Sequence, residues 1–114
     1  MTLDNTGFGW IAADGKRFDH DIVVLPGGRV ENRYDRLSGP NHLFEPDEAR
    51  RVLDDTTADF VLGTGQYGLV RVPKETARLF KELGVRLHRA RTPESVRRYN
   101  GLPEPRCGVF HVTC

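Results

Sequence analysis

The first third of the chain is built from short apolar runs and alternations punctuated by glycine and proline. Phe8-Gly9-Trp10-Ile11, a turn at Asp14-Gly15, Arg17-Phe18 and the run Asp21-Ile22-Val23-Val24-Leu25 carry this grammar. Pro26-Gly27-Gly28 then turns the chain into Arg29 to Tyr34, whose alternation predicts a half-buried antiparallel strand. The stretch from Phe8 to Tyr34 thus predicts a β-meander, with residues 1–6 as a loose N-terminal segment. Ser38-Gly39-Pro40-Asn41 is expected as a loop, and Pro46 as the first residue of a short helix with Ala49, Val52 and Leu53 on one face.

The second half follows a different rule. Asp59-Phe60-Val61-Leu62 predicts a strand, then a glycine-rich loop, then a helix from about Pro73 that buries Ala77, Phe80 and Leu83 with Leu79 beside them and stops at Gly84. Val85 to His88 predicts a strand. Thr92 is placed to cap a helix opening on Pro93, with Val96 and Tyr99 on one face and Asn100-Gly101 as the stop. Arg106 to Thr113 predicts a closing strand. Strand, helix, strand, helix, strand implies parallel crossovers, so the fold class is α/β with a meander leading into it, and the strands begun by Phe60 and Val85 should exit at one edge of a common sheet.

With 114 residues, the chain fits one domain, 1–114, because halves of it would be too small to bury a core. Seventeen basic against sixteen acidic residues leave a net charge of +1, which provides no field for recruiting nucleic acid or an anionic membrane. Arg86, Arg89, Arg91, Arg97, Arg98 and Arg106 gather in the last third, but interspersed acids and the lack of a stacking platform favour a solvated face. No signal-peptide pattern or bilayer-length apolar run is present, so a cytoplasmic location is expected. Cys107 and Cys114 are assigned to one strand at an odd separation, on opposite faces, which disfavours a disulfide between them.

Asp19-His20-Asp21-Ile22, Leu62-Gly63-Thr64-Gly65, the helix start after Pro73, Tyr99-Asn100 and His111-Val112-Thr113-Cys114 occur in an order that resembles the adipogenesis-associated Mth-domain family. That family includes mitochondrial respiratory complex I assembly factor three. The resemblance spans roughly Gly7 to Cys114. It implies a three-layer α/β domain with a mixed central sheet, no established catalytic activity, and roles in assembly or regulation; Asp21, Tyr99, Asn100, His111 and Cys114 are its motif residues, without an assigned role.

Several constellations invite a chemical reading. Gly63-Thr64-Gly65-Gln66-Tyr67-Gly68 satisfies G-x-G-x-x-G after a strand, but the extended stretch Leu69 to Val72 delays the helix, and the next strand ends in His88-Arg89-Ala90-Arg91 without the acid a ribose needs. A tight turn that lets backbones pack closely is the simpler reading, and no cofactor is expected. A weaker site survives at the strand ends, where Gly63 to Gly68 with Arg89, Arg91 and Thr92 could meet a small anion, although Pro73 and Pro93 each remove an amide and Glu75 and Glu94 occupy the first helical turns.

His20, His42, His88 and His111 with the two cysteines lack metal-ligand spacing, so no metal is expected. Asp19 and Asp21 on one strand face could raise a pKa for acid/base work, and His111 on the face of Cys107 could activate its thiol; a strand opening in water and a plain core strand are the simpler alternatives. The leading expectation is a non-catalytic binding or assembly module presenting the strand-end edge or the meander to another protein. The alternative is a small-molecule binder or unrecognised enzyme built on Gly63 to Gly68, Arg89 and Arg91. A concave pocket with converging polar groups would favour the second, and an exposed apolar patch the first.

Overall fold

The structure is a computed structural model and describes residues 1–37 and 39–114. The expected loop at Ser38 to Asn41 therefore lies partly outside the described residues, at Ser38. Strands β1 (Leu3–Gly7), β2 (Trp10–Ala13) and β3 (Lys16–Phe18) form an antiparallel three-stranded sheet. Strands β4 (Ile22–Val24), β5 (Val30–Asn32), β6 (Asp59–Thr64), β7 (Arg86–Ala90) and β8 (Arg106–His111) form a five-stranded mixed sheet in the order β5-β4-β8-β6-β7. β6 runs parallel to both β7 and β8, while β4 is antiparallel to β8 and β5. Helices α1 (Pro46–Val52), α2 (Lys74–Leu83) and α3 (Thr92–Gly101) complete the chain.

Strand alternation sorts the side chains into two cores. Val23, Phe60, Leu62, Cys107 and Val109 face Ala49 and Val52 of α1 and Leu79 and Phe80 of α2. Ile22, Val24, Val61 and Phe110 face Val96 and Tyr99 of α3 together with Leu3, Ile11 and Ala13 of the small sheet. The result is three layers: α1 and α2, then the mixed sheet, then α3 and the meander. In the first core Phe60 stands edge-on to Phe80 at 5.2 Å and 5.4 Å from Phe44, a geometry that adds to plain burial.

Several sequence expectations need correction. Residues 3–6 are not loose: Leu3 is buried, and the Asn100 side chain holds β1 by bonding both the N–H and the C=O of Leu3. β4 and β5 leave the meander and join the main sheet, because Val23 packs against β8 and the first core. The strand predicted as far as Tyr34 stops at Asn32, and Arg33–Asp35 form a 3-10 turn capped by the Asn32 side chain. Helix α2 buries Thr76, Leu79 and Phe80 and leaves Ala77 and Leu83 exposed. Its face is rotated because the Thr76 hydroxyl donates to the carbonyl of Phe44. Gly84 ends α2 in the left-handed region, as expected. Thr92 does not cap α3 but is its first residue, with its hydroxyl turned inward. Cys114 lies beyond β8 and is exposed, whereas Cys107 is buried in the strand; both are free.

Candidate functional site: the strand-end rim

The parallel strands β6, β7 and β8 exit at one edge, so the loop Gly63 to Gly68, the start of α3 and residues 111–114 meet there. The loop's glycines serve backbone packing. A Cβ on Gly63 would sit 2.7 Å from Ser95 Oγ and 2.9 Å from Thr92 Oγ1, so α3 can approach β6 only over a glycine. Gly65 has φ +101° and would drive a Cβ to 2.3 Å from the main-chain carbon of Cys114.

The polar groups of the loop are taken up by the protein itself. Gln66 N donates to Thr113 O at 2.7 Å, and Tyr67 N and Leu69 N both donate to the main-chain oxygen of Cys114. Gly65 N donates to Thr92 Oγ1 at 3.0 Å, Thr92 Oγ1 donates to His111 O at 2.5 Å, and Thr64 Oγ1 donates to Ala90 O. Thr92→Val removes the hydroxyl that serves both of its bonds, leaving Gly65 N and His111 O without that buried partner, and is expected to cost about 1–3 kcal/mol of unfolding free energy, read from urea denaturation. The Gln66 side chain reaches Thr6 Oγ1, and Gly9 N donates to Val112 O, so the β1–β2 turn is stapled to the same loop.

On this base stand exposed apolar side chains. Phe8 is 60%, Tyr67 63% and Leu69 59% exposed, and the rings of Phe8 and Tyr67 lie 6.1 Å apart. Arg91 flanks them, its Cγ within 3.4 Å of where a side chain on Gly68 would begin, and Arg89 lies one pleat earlier on β7. Neither arginine has an ion pair or side-chain hydrogen bond among the described residues. Three of the other four members of the predicted basic cluster are engaged elsewhere: Arg86 pairs with Asp59, Arg98 with Glu94, and Arg106 caps carbonyls at the end of α3. Of the candidate ligand residues, the structure brings Gly63, Thr64, Gly65, Gln66, Tyr67, Gly68, Arg91 and Thr92 into this rim with Arg89 on the adjoining β7, and the two arginines and Tyr67 are exposed. Three clefts, of about 260, 320 and 490 Å³, are lined by other segments: residues 26–28 with Tyr99 and 104–106, residues 53–55 and Thr57 with Arg50, Leu83 and Val85, and Leu43 with 71–74.

Beneath the rim lies a buried ionic cluster that the sequence reading missed. Arg33, fully buried, donates from Nε and Nη2 to both oxygens of Glu48 and from Nη1 to Asp21 Oδ2 at 2.8 Å and to the carbonyl of Asn41. Asp21 also accepts from Val112 N and from His111 Nδ1 at 2.7 Å, and His111 Nε2 is 3.1 Å from Thr113 Oγ1. An ionised carboxylate can only accept, so Nδ1 carries the proton of that bond. Burial pushes the Asp21 carboxyl up, but hydrogen bonds from His111, Val112 and Arg33 outweigh it and hold the group below its ordinary value. For Arg33, burial is likewise outweighed by Glu48 and Asp21, which keep it above the usual guanidinium range.

The expected Asp19–Asp21 pair is therefore absent. Asp19 is exposed and paired with Arg17, and Asp21 turns inward, its acidity raised by donors instead of being lowered by a like charge. His111 does not activate Cys107: burial pushes that thiol up to about 12, and His111 is engaged with Asp21. The resemblance residues acquire structural roles, with Tyr99 edge-on to Phe110 at 5.9 Å, Asn100 clamping β1, and Cys114 closing the glycine loop. Arg33 could have been suspected from the carboxylates at Asp21 and Glu48, yet nothing in the local pattern distinguishes it from the exposed arginines around it.

A three-layer α/β protein with an appended meander, a saturated glycine loop and a buried carboxylate–arginine–histidine cluster is the class that this geometry defines. Residues 3–110 match the family model described as a protein of unknown function, DUF498/DUF598, and the chain belongs to that family. It is similar over 100% of both chains to a conserved hypothetical protein of Pyrococcus horikoshii OT3, at 31% identity and a TM-score of 0.88. It also shares its fold with a Mth938-like domain of Bordetella pertussis, at 20% identity and a TM-score of 0.62, covering 97% of this chain and 85% of the other. These likenesses agree with the expected Mth-domain resemblance and α/β architecture. Among the described residues no helix is long and apolar enough to cross a membrane.

Proposed function

We propose that this protein is a binding or assembly module that docks another protein on the strand-end rim. The observation that carries the reading is the group of Phe8, Tyr67 and Leu69, each more than half exposed, with Tyr67 and Leu69 on a segment whose amides are bonded to the protein's own main chain and Phe8 on the β1–β2 turn tied to it through Gln66. Solvent-facing aromatic rings held on a rigid base have the composition of a protein-contact centre, where Tyr and Phe are enriched. The same saturation argues against a nucleotide or anion in the loop, since the amides that would cradle it already donate elsewhere.

The test compares co-purification from the source cells by the wild type and by Phe8→Ser combined with Tyr67→Ser. Leu83→Ser serves as control, because Leu83 is similarly exposed but belongs to α2. A partner retained by the wild type and the control but lost by the double variant is expected. Equal capture by all three chains would reject the reading. Both substitutions are on the surface, so the thermal midpoint should be nearly unchanged.

A further inference from the structure

The mixed sheet has two open edges, and they are not equivalent. β5 has three residues, and its Glu31 is neutralised by Arg29 and Arg36. β7 has five residues. Arg86 N donates to Ala58 O, so Arg86 faces β6. Alternate residues of a parallel ladder face the same neighbour, which turns the N–H and C=O of Leu87 and Arg89 to the open side. No described residue hydrogen-bonds those groups. Arg89 is exposed on the edge strand, on the same sheet face as Leu87, and Arg91 follows it at the rim beside Gly68. The nearest acid in the chain, Glu94, is engaged with Arg98. An unpaired row of main-chain groups, two uncompensated cations and an apolar patch therefore lie end to end.

On the reading that the rim docks a protein, we propose that the partner contributes an extended acidic segment that adds to β7 as a further strand. Its main chain pairs with Leu87 and Arg89, its carboxylates meet Arg89 and Arg91, and an apolar side chain at its end covers Tyr67 and Leu69. In this mode of recognition main-chain hydrogen bonds supply affinity and alternate side chains supply specificity. A second copy of this chain fits less well, because pairing β7 with itself crowds the arginines of both copies, and charged edge strands are a common defence against such pairing. An acidic segment turns that defence into recognition.

The test is amide hydrogen exchange and chemical-shift mapping of the full chain with a short peptide that alternates glutamate and valine and ends in phenylalanine, beside its lysine counterpart. Protection of the Leu87 and Arg89 amides by the acidic peptide alone is expected, with binding about tenfold or more weaker in Arg89→Glu combined with Arg91→Glu. Equal binding of the lysine peptide, or exchange at Leu87 and Arg89 that no peptide slows, overturns the proposal. If the acidic peptide shifts Phe8 and Tyr67 but leaves β7 untouched, strand addition is wrong while the rim reading stands. An oligonucleotide that protects Tyr67 where the peptide does not overturns both.

Discussion

Arg33→Met is expected to destabilise the protein by about 3–5 kcal/mol at neutral pH, the usual cost of removing one partner from a buried ionic cluster. The guanidinium is fully buried and bridges Asp21 to Glu48 through hydrogen bonds of 2.6 to 3.0 Å, so its loss leaves two carboxylates without their cation. The pH dependence is specific. In the wild type the folded pKa of Asp21 is depressed, so its contribution is present above the unfolded value and is lost as pH falls through the folded one. In the variant that depression is reduced, because one of the donors has gone. The gap between the two proteins should narrow as pH falls into the acidic range. Urea titrations at neutral pH and below about pH 4 read this directly, and a gap that widens on acidification would mean that the cluster is not held by charge.

Gly65→Val is the second large effect. A side chain there meets the φ of +101°, which costs about 1–3 kcal/mol for a residue other than glycine. It also meets the Cys114 main chain at 2.3 Å, an overlap that costs about 1–3 kcal/mol more if the neighbours yield. A thermal midpoint lowered by several degrees is expected, with faster exchange at the Tyr67 and Leu69 amides, which donate to Cys114. A variant that kept both its stability and its amide protection would show that the glycine is not required for this contact.

Much of the fold was legible because the mixed sheet obeys simple rules. Val61 and Phe110 against Phe60 and Val109 alternate between cores as their period demands, and Pro46 and Gly84 punctuate helices where their backbone preferences place them. What was not legible depended on side-chain partners far away in sequence. β1 is held by Asn100 and the α2 face is set by Thr76 bonding to Phe44, contacts that no local window contains. The rim was half visible: parallel exits predicted that Gly63 to Gly68 and Thr92 would meet, but not that Phe8, from the other sheet, would join them. G-x-G-x-x-G misleads in isolation because close helix packing and phosphate binding both demand glycine, and here Ser95, Thr92 and Cys114 occupy the space.

The loop amides are occupied from within, and amide hydrogen exchange of the free protein measures that most directly. Gln66, Tyr67 and Leu69 should exchange slowly, at rates near those of β6, and should not respond to added phosphate or nucleotide. Fast exchange at these positions that phosphate or a nucleotide slows would contradict it and make the glycine loop a ligand site.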